Sequence, residues 1–282
     1  MKSKIIFFLK IIINSFLAVV FKFRISNYIF KNIINFVMES YTEVVYRNLN
    51  LRITTPNSLC KWRALTFSSK EPETLEWIDS MPKKSIFWDI GANIGLYSIY
   101  AAKSKNCKVW AFEPSVFNLE LLARNIFIND LTKQIVIVPL ALNDSLRSSQ
   151  LKLTTKEWGG ALSNFGRNFG WDGKMIKEVF EFQTIGISLD EVKKLLKIPQ
   201  PDFIKIDVDG LEHFILKGGH DVLSATKEVL IEINDDFKDQ AKKSNDILTD
   251  LGLVLKEKRQ AEYIASNTDG WQYTYNQIWV RK

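Results

Sequence analysis

Ser85-Ile-Phe-Trp-Asp-Ile-Gly-Ala-Asn-Ile-Gly95 is the stretch that decides the fold. A short apolar run ends in Asp89, turns on Gly91 and Gly95, and opens into a helix-like segment that reaches Ser104. Glycines in such a turn let the backbone bend sharply and approach a ligand, with the N-terminus of the next helix facing it. A dinucleotide fingerprint, G-x-G-x-x-G, would carry its middle glycine where Asn93 stands. The turn of Asp89, Gly91, Asn93 and Gly95 therefore points to a ligand with an ammonium group rather than a pyrophosphate.

Outward from this turn the pattern alternates. Lys108 to Phe112 reads as a strand, Ser115 to Asn129 as a helix and Gln134 to Val138 as a strand. After an interruption come a helix near Leu189 to Leu196, a strand at Asp202 to Val208, a helix from Leu211 and a strand at Val229 to Ile233. Short apolar strands separated by helices imply crossover units, so the spacing predicts a doubly wound α/β sheet that is mostly parallel. Upstream, Glu43 to Ile53 reads as extended chain, Pro56-Asn57-Ser58 as a turn and Glu71 to Asp79 as a helix with Pro72 early in it. The tail, Leu253 to Lys258 and Tyr273 to Val280, is too closely spaced for a crossover, so its two strands are expected to pair antiparallel across a polar loop containing Asp269-Gly270. Residues 148–182 fit no regular period and are read as an irregular substrate-side insertion. The expected domains are a helical N-terminal extension, 1–42, and one α/β domain, 43–282.

The second strand ends in Ala111-Phe-Glu-Pro114, which sets Glu113 beside the first turn, where an acid accepts both hydroxyls of a ribose. Beyond the third strand, Leu142-Asn-Asp144 is expected to lie beside a purine, with Asp144 taking an adenine amino hydrogen bond. An amino-acid end, a ribose, a purine and a positive sulfur describe S-adenosylmethionine. In Asp202-Phe-Ile-Lys-Ile-Asp-Val-Asp209, alternation sets Lys205, Asp207 and Asp209 on one face. A buried lysine is costly unpaired, so Lys205 is expected to contact Asp207. Asp207 is the first candidate for the base that takes a proton from an acceptor hydroxyl and also borders the cofactor; Glu212 and His213 are second candidates. Asp207, Asp209 and Glu232 have the hard oxygen donors that suit magnesium, but no metal is assigned. Trp158, Trp171 and Trp271 are candidates for stacking on a sugar ring, with ordinary packing as the alternative.

Asp89-Ile-Gly-Ala-Asn-Ile-Gly95, Phe112-Glu-Pro114 and Lys205-Ile-Asp-Val-Asp-Gly-Leu-Glu212, in that order, resemble the motif blocks of the FkbM-type methyltransferases. The resemblance runs from about Ile86 to Glu232, with Asn276-Gln-Ile-Trp279 at the end. It implies a class I, Rossmann-like sheet of seven strands with one reversed. It also implies methyl transfer from S-adenosylmethionine to oxygen, often on a sugar or a polyketide; with the basic N-terminal helix near a membrane, a sugar or lipid-linked glycan is the expected acceptor and a polyketide or other small-molecule hydroxyl the alternative. A non-catalytic module that binds an adenosyl ligand is the alternative from another class.

The composition, 46% hydrophobic and 25% charged over 282 residues, excludes a disordered chain. Cys60 and Cys107 form no spaced pair and suit a reducing compartment. Charge is uneven: up to Arg63, ten Lys or Arg stand against Glu39 and Glu43, and the remainder is slightly acidic. Ile5 to Phe21 is nearly all apolar, with Lys10 and Asn14 on one helical stripe and Lys2, Lys4, Lys22 and Arg24 at its ends, a pattern that suits a lipid surface better than nucleic acid, which is not expected as a partner. The expected location is the cytoplasm, peripheral at the inner face of a membrane, with packing on the domain or a homodimer as the other use of this helix.

Overall fold

The computed structural model describes residues 2–22, 24–260 and 271–282, without the side chains of residues 2–6, 24–25 and 271. The chain divides into two compact units, Met1–Tyr41 and Thr42–Lys282. The first holds α1 (Lys2–Val20) and α2 (Arg24–Glu39). Phe21 stacks on Phe30 with ring centroids 4.3 Å apart, and the Ser26 hydroxyl donates to the Val20 carbonyl. No helix among the described residues is long and apolar enough to cross a membrane.

The second unit opens with a hairpin, β1 (Tyr41–Tyr46) and β2 (Leu49–Thr54). The stretch expected only as extended chain thus folds back on itself. Its two-residue turn sits on Arg47 and Asn48 at φ 45° and 66°, the left-handed pair that matches the twist of hairpin strands. Three short helices follow: α3 (Ser58–Leu65), α4 (Phe67–Lys70) and α5 (Pro72–Ser80). Asn57 caps α3 by accepting the Cys60 N–H at 2.8 Å.

The alternation then runs β3 (Ile86–Ile90), α6 (Leu96–Lys105), β4 (Lys108–Phe112), α7 (Val116–Ile128), β5 (Ile135–Val138) and the short β6 (Ala141–Leu142). After β7 (Arg147–Leu153), β8 (Ser163–Phe165) and β9 (Phe180–Ile187) it resumes with α8 (Leu189–Leu196), β10 (Phe203–Ile206), α9 (Glu212–Lys217), α10 (His220–Ser224), β11 (Glu228–Asn234), α11 (Lys238–Asp250), β12 (Leu253–Arg259) and β13 (Thr274–Arg281). The seven-stranded sheet has the order β12-β13-β11-β10-β3-β4-β5. Only β13 is reversed, since it pairs antiparallel with both β11 and β12 while β11, β10, β3, β4 and β5 pair parallel. This is the seven-stranded sheet with one reversed strand that the resemblance implies. Asp269-Gly270, the expected loop before β13, lies outside the described residues. Trp88, Ile90, Phe112, Ile204, Ile206 and Val229 are buried in one continuous core, as central strands covered by helices must be.

Residues 148–182 are not wholly irregular. They supply most of a second sheet of order β6-β9-β7-β8, in which β7 pairs antiparallel with both β8 and β9. The Arg-Ser-Ser-Gln start of β7 has no apolar face to announce it, but Phe180-Glu-Phe-Gln alternates with period two, which was the available signal. Leu151, Leu153 and Phe165 bury the inner face of this sheet.

Asn125 of α7 and Asn129, its C-cap, bind β2 to this helix and to the turn after β3. Asn125 accepts the Thr54 N–H at 2.7 Å and donates to the Ile94 carbonyl at 2.8 Å, and Asn129 both accepts from and donates to the Arg52 backbone. Removing a side chain that satisfies buried backbone groups costs about 1–3 kcal/mol. Asn125→Ala is therefore expected to lower the unfolding free energy by about that amount in urea, and a change within about 0.5 kcal/mol, the range of a neutral surface substitution, would contradict the assignment.

Candidate active site

Ligands of doubly wound sheets bind outside the carboxyl ends of the strands. There the ends of β3, β4, β10 and β11 open onto a cavity of about 410 Å³. Its floor is the turn after β3. A Cβ on Gly91, at φ 81°, would stand 1.8 Å from the Asp207 carbonyl oxygen, so only glycine lets β3 and β10 approach this closely. Asn93, at φ 52°, also adopts the left-handed conformation, which asparagine tolerates.

Glu113 leaves the end of β4 and holds the turn. Its two oxygens accept the N–H groups of Asn93 and Ser115, each at 2.8 Å. Burial pushes its carboxyl up to about 7 despite these donors. Asn93 in turn donates to the Gly160 carbonyl at 2.8 Å, and Asn118 of α7 donates to the same oxygen at 3.0 Å and accepts the Gly159 N–H at 3.1 Å. Arg63 of α3 donates to the Gly159 carbonyl at 2.7 Å, and Asp209 accepts the Leu162 N–H at 2.7 Å. The segment between β7 and β8 is thus clasped over the cavity from four elements. Trp158 takes part through its carbonyl, which accepts from Asn57 at 3.0 Å.

At the β10 end, Lys205 is fully buried and donates to Asp207 at 2.8 Å. Burial alone would pull its ammonium down, yet Asp207, Asp89 and Glu71 hold it above the ordinary lysine value. Glu71, just before α5, is the opposite case. Burial works to raise it, but Lys70 and Lys205 hold it down to about 2, and Tyr97 donates to it at 2.9 Å. Oxygens of Glu71, Asp207 and Glu232 lie within 4.8 Å of one another, the one grouping among the described residues with a spacing that suits a metal ion. Lys70 and Lys205 already pair with two of the three acids, and their charge competes with a cation there.

Gly91, Asn93, Glu113, Lys205 and Asp207 all line the cavity, together with Asp209 and Glu232. Asp89 lies one layer below: one oxygen accepts from Ser98 at 2.6 Å and the other, buried, has no partner. Burial raises its carboxyl. Gly95 packs against Leu122 rather than the cavity. Asp144 is not beside it either, because its carboxylate is drawn to Arg147 at 3.3 Å and Lys217 at 3.5 Å; Leu142 forms that wall. Glu212, expected as a second base, is also turned away. It accepts the N–H groups of Val208 and Gly210 and the side chain of Gln240, so it braces the loop that carries Asp209. His213 is buried against Phe214 and Phe237, and burial lowers its imidazole to about 4, while His220 is exposed. Lys70, Glu71, Tyr97 and Asn118 were not singled out from the sequence; Pro72 marked a helix start but nothing in the pattern said that its preceding acid would meet Lys205.

The methyltransferase FkbM domain model matches residues 89–263. The chain belongs to the FkbM methyltransferase family. It is 27% identical over 173 residues to the hexuronic acid methyltransferase AglP of Haloferax volcanii, a match covering 61% of this chain and 66% of that protein. It is 27% identical over 164 residues to methyltransferase sdnD of Sordaria araneosa, covering 50% and 62%. The chain therefore spans just under two thirds of the length of each of these relatives. Among solved structures, precorrin-6Y C5,15-methyltransferase of Geobacter metallireducens aligns at TM-score 0.44 and 16% identity, over 75% of this chain and 87% of that one. TYW2 of M. jannaschii in complex with AdoMet aligns at 0.45 and 12%, over 86% and 88%. Both likenesses are too weak to carry an argument about the site.

The FkbM domain uses S-adenosylmethionine, and the residues present fit it. Asp89 keeps a buried oxygen without a partner below the turn, Glu113 presents a carboxylate to the cavity, and Phe112, Leu140 and Leu142 supply an apolar wall for a purine.

Asp209 is held up to about 6, first by burial and then by Asp207. An acid raised in the folded state binds its proton more tightly there than in the unfolded chain. Its contribution is fully present below about pH 4 and is lost as pH rises through about 6. Asp209→Asn keeps a residue suited to φ 59°. It is expected to flatten the fall in urea stability between those pH values; an unchanged slope would remove Asp209 from the account.

Proposed function

We propose that the chain transfers a methyl group from S-adenosylmethionine to a hydroxyl of a sugar, free or as part of a lipid-linked glycan. The observation that carries this reading is one continuous cavity with two unlike ends. The end lined by Glu113, Phe112 and Leu142 suits a nucleoside. The other end carries Lys70, Asp207, Glu232, Asn276 and Thr274, whose buried hydroxyl oxygen has no partner. Such a mixture of donors and acceptors suits a polyol better than an apolar acceptor. Family membership supports methyl transfer, and the name of AglP, a hexuronic acid methyltransferase, supports a sugar.

In this reading Glu113 binds the ribose hydroxyls, the turn at Gly91 receives the amino-acid end with Asp89 one layer beneath it, and Asn93 and Asn118 hold the clasp that excludes water. The bound cofactor supplies an electrophilic methyl group on a positive sulfur. The chain's residues align the acceptor oxygen with that carbon, and such alignment contributes a large share of the rate in displacements of this kind. Calorimetry tests the first half. Wild type is expected to bind S-adenosylmethionine, and Glu113→Ala to weaken binding by about ten- to a hundredfold, as expected for losing a charged acceptor worth about 1.5–3 kcal/mol. No binding by folded wild-type protein would contradict the reading.

The N-terminal helices suit an anionic membrane surface. Phe7, Phe8, Phe16, Tyr28, Ile33 and Phe36 are exposed, beside Lys10, Lys22 and Lys31. The full chain is expected to float with vesicles containing phosphatidylserine, and a chain lacking residues 1–41 to stay in the soluble fraction. Equal flotation of the two, or none by either, would remove this part of the proposal.

A further inference from the structure

Glu232 is the cavity carboxylate that the pairing scheme leaves over. It projects from β11, opposite Asn276 of β13, whose side chain is turned to Glu73 at 2.8 Å. Asp207 holds Lys205, and Glu71 holds Lys70 and Tyr97. Among the described residues, the Glu232 side chain makes no hydrogen bond or ion pair, yet its oxygen lies within 4.8 Å of both acids. Three carboxylates thus face two ammonium groups, and the cluster is one positive charge short of neutral.

We propose that Glu232, rather than Asp207, takes the proton from the acceptor hydroxyl, and that the same carboxylate releases a proton when the sulfonium cofactor binds. The proposal rests on the reading of this cavity as an S-adenosylmethionine site. Asp207 is poorly placed to act as a base. Protonating it would strand the buried Lys205 ammonium beside a neutral acid, a costly arrangement. It is instead a positioning residue, held by that lysine. Glu232 is in the opposite environment. Burial and the facing acids Asp207 and Glu71, with Asp209 further off, resist its ionised form and hold its carboxyl well above the usual range, with Lys70 as the opposing charge. A carboxylate resisted in this way takes a proton readily.

Charge balance explains the coupling. Without cofactor, a proton on Glu232 neutralises the cluster. The cation on sulfur substitutes for that proton, which leaves to solvent and frees the base. During transfer the acceptor O–H bond breaks and its proton passes to Glu232. The acceptor oxygen forms a bond to the methyl carbon, the carbon–sulfur bond breaks, and its electron pair stays on sulfur, giving a neutral thioether. One positive charge disappears at sulfur as one proton arrives at Glu232, so the enclosed site keeps its net charge throughout.

The test needs no acceptor. Binding of S-adenosylmethionine and of S-adenosylhomocysteine, which differ only in the methyl and its charge, is measured by calorimetry at pH 7 in buffers of different ionisation enthalpy. Wild type is expected to release up to one more proton with S-adenosylmethionine than with S-adenosylhomocysteine, and its affinity for the sulfonium alone to rise with pH. Glu232→Gln is expected to abolish that difference while still binding both compounds, and Asp207→Asn, which leaves two carboxylates facing two ammonium groups, to reduce it. Equal proton release by wild type with the two compounds, or a difference that persists in Glu232→Gln, would overturn the proposal. So would a difference that disappears on chelation and returns with magnesium, because the cluster would then be a metal site. Failure of both compounds to bind would instead sink the cofactor reading itself.

Discussion

A lysine buried in the central strand of the sheet is the constraint on which the rest depends. Lys205 sits in register with Asp89 of β3, two residues before Asp207, with Glu71 brought in from the N-cap of α5. An ammonium group cannot be left alone in such a place, since stripping it of water without a partner costs several kcal/mol. The carboxylates around it follow from that cost, and so does the shape of this end of the cavity. Its ring contact with Tyr97, 5.1 Å from the centroid, closes the remaining side. Tyr97 lies in α6, directly after the glycine turn, so the charge cluster and the turn are packed as one piece.

The second constraint is steric. Gly91 allows β3 to approach the Asp207 carbonyl, and Glu113 fixes the turn that follows. Asn93 carries the same order outward by reaching the Gly160 carbonyl, where Asn118 also binds. The small sheet is therefore fastened to the turn after β3 itself rather than to a remote part of the domain. Movement of the segment between β7 and β8 and exposure of the turn after β3 are tied to the same few hydrogen bonds.

Much of this was legible in the sequence because its causes are local or periodic. Apolar runs alternating with helices gave the parallel sheet, and the short spacing of the last two strands required the reversed one. The pairing of Lys205 with Asp207 followed from the cost of a lone buried charge. Contacts that depend on distant parts of the chain meeting were hidden. Glu71 and Lys70 stand more than a hundred residues from Lys205, and no spacing announces that they share a cavity with it. Asp144 and Glu212 looked available because sequence shows an acid but not the Lys217 or Gln240 that occupies it. The β7 strand was missed because its first half is polar on both faces.

A crystal structure with bound S-adenosylhomocysteine tests the central claim most directly. The account expects the ribose hydroxyls on Glu113, the amino-acid end against the turn at Gly91, and the sulfur facing the cluster of Asp207 and Glu232. Density for the nucleoside outside this cavity, or a sulfur turned away from that cluster, would contradict it.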